Sequence, residues 1–279
     1  MPHPVASELE RIILDRIAAD RLVLPALPDI AQRSLGVMRD SNFQLGALKT
    51  VLAGDPLMVA WIMRAASGAA YGGSAPSLDQ ALSRLGAQKL RGVIVEFAAR
   101  QLFRSPDRDV NAATARLWEH SVAVAQLARD LGAMVGCPDA EGCYLAGLLH
   151  DIGKPLVASM LLEAERKLGK GKRFMPLDDW RESIEVTHRS VGVALATKWG
   201  LPEQVVAAIR EISDYDGGER TSVANVVRLA NALIKREGLP TWKTDEADVD
   251  AMVMVGLSML GAEDEVARRL TTNVRARLA

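Results

Sequence analysis

Tyr144-Leu145-Ala146-Gly147-Leu148-Leu149-His150-Asp151-Ile152-Gly153-Lys154 joins an apolar run to a His-Asp doublet. Adjacent residues on a regular helix point about 100° apart, so His150 and Asp151 can serve one ion only near a helix end. The spacing predicts that the chain turns there, with Gly153 supplying the freedom to do so. Histidine is scarce: His3, His120, His150 and His188 are the whole set, and the last three run in the order His, His-Asp, His. Imidazole and carboxylate suit Mn, Fe or Zn, and donors from several antiparallel helices can converge inside a bundle.

Outward from this segment, nearly every stretch between breakers carries a helical period. Leu9, Ile12, Ile13 and Ile17 form one stripe; Leu45, Leu48, Val51 and Leu52 form another that stops at Gly54. Asp55-Pro56 reads as an N-cap followed by proline at the first helical position, and Ser77 to Gln80 has capping-box spacing. Long helices are predicted over about Ala112 to Val135, Ala140 to His150, Leu156 to Leu168, Asp179 to Trp199, Pro202 to Ile212 and Ser222 to Arg236, with two short ones near the C-terminus. Arg104 to Asn111, charged and carrying a proline, is the expected domain junction. The predicted division is 1–110, 111–236 and a C-terminal extension 237–279. Ala81 to Val95, helix-Gly-helix with Lys89 and Arg91, has the outline of a helix-turn-helix, but two core helices joined at Gly86 explain it as well without needing a broad basic face. The basic loop of Lys167, Lys170, Lys172 and Arg173 reads as a solvated loop rather than an anion site.

Bulk properties narrow the class. With 49% hydrophobic and only 4% aromatic residues the chain favours closely packed helices over strands. Lys+Arg 34 against Asp+Glu 35 offers no global field toward nucleic acid or an anionic membrane. No apolar run, Met252 to Leu260 included, approaches the roughly 20 residues of a membrane span, and no signal-type N-terminus is visible, so a soluble protein is expected. Two cysteines, Cys137 and Cys143, are too few for a disulfide framework, which suits a reducing cytoplasm.

The segment Gly147 to Lys154, with Trp118-Glu119-His120-Ser121 upstream, resembles the HD superfamily of metal-dependent phosphohydrolases. The N-terminal half narrows this. Leu24-Pro25-Ala26-Leu27-Pro28, Asp55-Pro56-Leu57, Ala69-Ala70-Tyr71-Gly72, Ser77 through Gly86 and Gly200-Leu201-Pro202-Glu203 resemble the HDOD family, over roughly Leu24 to Arg236. The resemblance implies an all-α fold, an N-terminal helical bundle packed on an HD-type bundle. It implies His120, His150, Asp151 and His188 as ligands of one divalent metal, Fe, Mn or Zn, with Asn231 as a weak fifth. Two positions depart from the pattern: Glu211-Ile212-Ser213 stands where relatives often carry a His pair, and Asn231 where the catalytic superfamily carries Asp. Asn231 is neutral and cannot act as an anionic base. Loss of the imidazole pair removes donors for a second metal, which argues against a two-metal clamp. In a purely structural role, His120 and His188 would hydrogen-bond within a helical core and Asp151 would serve a helix terminus.

The function implied is that of a cytoplasmic, regulatory protein of bacterial signal transduction with a degenerate metal site, acting on signalling proteins through a binding surface. The alternative is a metal-dependent phosphohydrolase of nucleotides or cyclic dinucleotides, in which Lys154 would meet a phosphate; otherwise Lys154 is expected to favour the end of a helix. Trp118 and Trp199 read as packing residues. Nucleic-acid binding ranks last.

Overall fold

The computed structural model describes residues 4–40, 42–67, 73–168, 176–211, 214–239 and 245–278. Among them the continuous elements are helices and no strand occurs. The family motif at Ala69–Gly72, Ile212 and Ser213, His3, and Lys170, Lys172 and Arg173 of the basic loop lie outside the described residues.

The chain divides into two compact units, at points other than 110 and 236. One is Ala26–Gln101; the other combines Met1–Pro25 with Leu102–Ala279. The smaller unit holds α2 (Asp29–Val37), α3 (Leu45–Leu52), α4 (Pro56–Ala65) and α5 (Leu78–Arg100). Asp55 Oδ1 accepts the Leu57 and Met58 amides and so starts α4, and Ser77 Oγ accepts the Gln80 amide at the start of α5. Met38, Leu48, Leu52, Met58, Ile62, Leu82, Leu90 and Ile94 are fully buried. The segment with a helix-turn-helix outline is α5 itself, kinked at Gly86 (φ 69°, ψ 169°), with Ala81, Leu85, Val93 and Val95 buried on either side of the kink.

The larger unit begins with α1 (Pro4–Ala18) and continues through α6 (Arg108–Val135), α7 (Ala140–Leu149), α8 (Gly153–Leu168), α9 (Leu177–Lys198), α10 (Glu203–Arg210) and α11 (Val223–Arg236) to α12 (Glu246–Leu260) and α13 (Asp264–Leu278). The first 25 residues belong here because α1 packs on α9 and the chain after it is tied down: Lys198 Nζ donates to the Leu24 carbonyl and Trp199 Nε1 to that of Pro25. Trp118 is likewise a packing residue, edge-on to Phe103 with ring centroids 5.1 Å apart. The second half of the expected junction at 104–111 is absorbed into α6, whose early amides, Asp109 and Val110, are capped by Asp107 Oδ1. Residues 245–278 belong to the same larger unit. Helix α12 packs on α11, and α13 packs on α6, where Arg277 Nη2 reaches Asp130 Oδ2 at 2.5 Å, and on the end of α11, where Arg236 Nη2 reaches Asp264 Oδ1 at 3.0 Å. The stretch Ala140–Lys167 is long and apolar enough to cross a bilayer by composition, but its apolar 18-residue window is 89% buried within the protein.

Candidate metal centre

Five elements of the larger unit bring the candidate side chains together. His120 projects from the middle of α6, His150 and Asp151 occupy the turn between α7 and α8, His188 lies on α9 and Asn231 on α11. A helix end does carry the doublet, as the spacing predicts, because α7 stops at Leu149 and α8 starts at Gly153. Gly153 does not supply a left-handed turn, however, and its role is close approach. A Cβ there would collide with the His188 carbonyl and come within 2.6 Å of its carbon. Gly147 does the same for the other wall: its Cβ would lie 2.9 Å from the Ala125 Cα. These two contacts press α7 onto α6 and α8 onto α9, and so draw His150 toward His120 and Asp151 toward His188.

The three rings are oriented alike. His120 Nδ1 lies 2.6 Å from the Leu239 carbonyl, His150 Nδ1 2.7 Å from that of Gly147, and His188 Nδ1 3.0 Å and 2.9 Å from those of Ile184 and Glu185. A carbonyl only accepts, so each Nδ1 is the protonated nitrogen and, in the neutral ring, each Nε2 presents a lone pair. His120 Nε2, His150 Nε2 and Asn231 Oδ1 are buried with no hydrogen-bond partner. His150 Nε2 faces Asp151 Oδ2 at 3.4 Å, and His188 Nε2 faces Asp151 Oδ1 at 3.6 Å. Donor atoms of His120, His150 and Asp151 lie within 4.8 Å of one another. His188 reaches this group through Asp151, whereas Asn231 approaches from the wall of an adjoining cavity.

Burial sets the electrostatics. His120 is 1% exposed, and loss of hydration, aided by the neighbouring His150 ring, lowers its pKa to about 3 against the opposing pull of Asp151. Burial also lowers His188, again opposed by Asp151. For Asp151 burial alone would raise the carboxyl, but the Lys154 ammonium and the His150 and His188 rings outweigh it and hold the group well below the usual carboxylate range. Lys154 departs furthest from the sequence expectation. It stands in the first turn of α8, where a cation is disfavoured by the helix dipole, rather than at a helix C-terminus. It is buried, with Nζ 3.1 Å from Asp151 Oδ2 and 3.0 Å from Glu185 Oε1. Desolvation works against its charge, yet these two carboxylates hold its pKa above the ordinary value. Glu185, one turn before His188, and the Leu239 carbonyl were not singled out in the sequence. The i, i+3 spacing of Glu185 and His188 was the available signal for the first, whereas a backbone carbonyl leaves none.

The depressed imidazoles predict acid sensitivity. In the unfolded chain His120 titrates near the ordinary imidazole value of 6.5, so below that pH the unfolded state binds a proton that the folded state refuses, and stability falls as pH falls. With metal chelated, His120 alone should remove about 2 kcal/mol between pH 8 and pH 5. Urea midpoints should hold nearly level from pH 8 to about 7 and then drop toward pH 5; a profile flat throughout would contradict the assigned burial.

Comparison with known proteins places this chain in a family. The HDOD domain matches residues 24–215. A protein of Treponema pallidum is 25% identical over 219 residues, 75% of this chain and 42% of its own length. Ribonuclease Y of Thermus thermophilus is 29% identical over 203 residues, 71% of this chain and 29% of its own. The chain thus spans less than half the length of either relative. Among solved structures, a candidate metal-dependent phosphohydrolase of Shewanella amazonensis superposes with TM-score 0.76 at 22% identity, covering 99% of this chain and 100% of its own. An HDOD domain protein of Geobacter sulfurreducens gives 0.62 at 21%, covering 96% and 98%. All-helical HD-type architecture is the class these likenesses define. The chain belongs to the HDOD family.

Proposed function

We propose that this chain is a regulatory protein of bacterial signal transduction that works in the cytoplasm by binding signalling proteins, and that its His-Asp centre holds one divalent cation without supporting hydrolysis. Inward lone pairs on His120, His150 and Asn231 that meet no donor, beside an ionised Asp151, fit a cation. His120, His150 and Asp151 would hold it, with His188 behind Asp151 and Asn231 as a weak neutral addition. Fe, Mn or Zn suits such donors, and Lewis acidity is the chemistry an ion of this kind supplies when bound.

The observation that carries the regulatory reading is the Lys154 ammonium on Asp151 Oδ2. A carboxylate bridging two cations needs both oxygens, and here one is already committed to a fixed positive charge. Asn231 adds no anion where one would be required. The second reading, a metal-dependent phosphohydrolase, is favoured by the cavity that opens onto Asp151 and by the likeness to HD-type folds. Assays of a chromogenic phosphodiester and a cyclic dinucleotide with added Mn or Fe separate the two. No turnover above that of His150→Ala is expected. Metal-dependent turnover lost in both His150→Ala and Asp151→Ala would establish the enzyme instead.

A further inference from the structure

Helix α12 is apolar on two faces, and the described chain covers one of them. Val249, Val253, Gly256 and Leu260 recur at i, i+4, i+7 and i+11 and are buried on the side that packs on α11, where a Cβ on Gly256 would collide with Tyr215 and lie 3.0 Å from Leu229. Ala247, Ala251, Met254 and Ser258 repeat that spacing on another face. All four are exposed, and with Leu257 and Ala262 they line an open groove of about 970 Å³. Met254 is 68% exposed and Val255 beside it 47%. From Ala251 to Leu260 no residue is charged. A helix that keeps one face in water carries charged and polar groups there, whereas one that is apolar all round is a helix for burial.

Charge restricts what can lie in the groove. Between 245 and 267 the chain carries Asp245, Glu246, Asp248, Asp250, Glu263, Asp264 and Glu265 and no basic residue. Some of these acids serve the helices themselves. Asp245 Oδ1 accepts the Ala247 amide, and Asp264 pairs with Arg236 at 3.0 Å and with Arg268 at 2.7 Å. Asp250 and Glu263 are exposed, line the groove and have no ion-pair partner among the described residues. At 1.5 Å per residue the helix rises about 15 Å from Asp250 to Leu260, so the two acids bracket an apolar floor about three turns long. An anionic lipid surface would be repelled by them, and a symmetric contact with a second copy would set acid against acid.

We propose that this groove receives an amphipathic helix of a partner protein, its apolar face on Ala251, Met254 and Leu257 and its basic ends on Asp250 and Glu263. Helices dock in apolar grooves through anchors at i, i+3, i+4 and i+7, and the unbranched methionine side chain adapts to them. That the partner is a signalling protein rests on the regulatory reading; the docking itself does not.

Fluorescence anisotropy with the full chain tests this. The probe is a labelled synthetic helical peptide of about 18 residues, leucine and alanine on one face, glutamine on the other and lysines at both ends; a second peptide carries glutamates in place of the lysines. One-to-one binding is expected, at least about tenfold tighter for the lysine peptide, and weakened about tenfold by Met254→Gln and by Asp250→Lys. Both positions are exposed, so the fold should be retained. Leu57→Gln, at a 73% exposed position of the smaller unit, should leave binding unchanged. Absence of binding, equal affinity for the two peptides, or an equal loss in Leu57→Gln and Met254→Gln would overturn the docking face while leaving the regulatory reading intact. A wild-type dimer that Met254→Gln makes monomeric, or adhesion to phosphatidylglycerol vesicles that Met254→Gln abolishes, would give the face to a second copy or to lipid and overturn the proposal. Peptide binding as expected together with metal-dependent phosphodiester turnover would support the docking face and overturn the regulatory reading alone.

Discussion

Gly153→Ala is expected to be among the most damaging single substitutions in this chain, with a loss of more than about 4 kcal/mol. The added methyl would meet the His188 carbonyl, lie 2.6 Å from its carbon and 3.0 Å from the Gly192 amide nitrogen. All three obstacles are backbone of α9, so relief requires one helix to move away from another instead of a side chain rotating. The same movement would pull Asp151 from His188, now 3.6 Å away, so the site and the fold fail together. The melting temperature should fall by roughly 10 °C or more. Gly36→Ala in α2, where an added methyl meets nothing within 4 Å, is the matched control and should change stability by less than about 1 kcal/mol. A Gly153→Ala protein as stable as wild type would show that α8 and α9 do not approach as described.

Asp151→Asn should cost about 3 kcal/mol or more at neutral pH in chelator. It preserves shape while removing one carboxylate on which Lys154 relies, and Glu185, a second, is 45% exposed. Much of the loss should return in the double variant Asp151→Asn/Lys154→Met, since removal of both charges leaves neither unpaired. Urea unfolding of the four proteins in this cycle measures the coupling. A coupling near zero would mean that Lys154 does not depend on Asp151, and nothing would then commit one carboxylate oxygen to its ammonium.

Local chemistry was legible in the sequence where it acts over a few residues. Asp55-Pro56 and Ser77 announce helix starts because a cap is a contact between neighbours in the chain, and both caps form. The apolar periods of α3, α6 and α11 likewise locate helices, since one turn of backbone dictates which positions share a face. The His-Asp doublet at a helix end was readable for the same reason. What was not readable depends on segments distant in the chain. The true role of Gly153 is set by the backbone of α9, more than thirty positions away. Lys154 could be assigned to a helix start only once the turn at His150 to Ile152 was known to separate α7 from α8. The union of the first 25 residues with the C-terminal unit rests on bonds from Lys198 and Trp199 to Leu24 and Pro25, to which no short-range pattern points.

If the surviving donors form a centre for one cation and not two, the ions can be counted. Elemental analysis of the protein after saturation with Mn, Fe or Zn and removal of free metal does so directly. No more than one per chain is expected, lost in His150→Ala; two per chain in the wild type would contradict a single-cation centre.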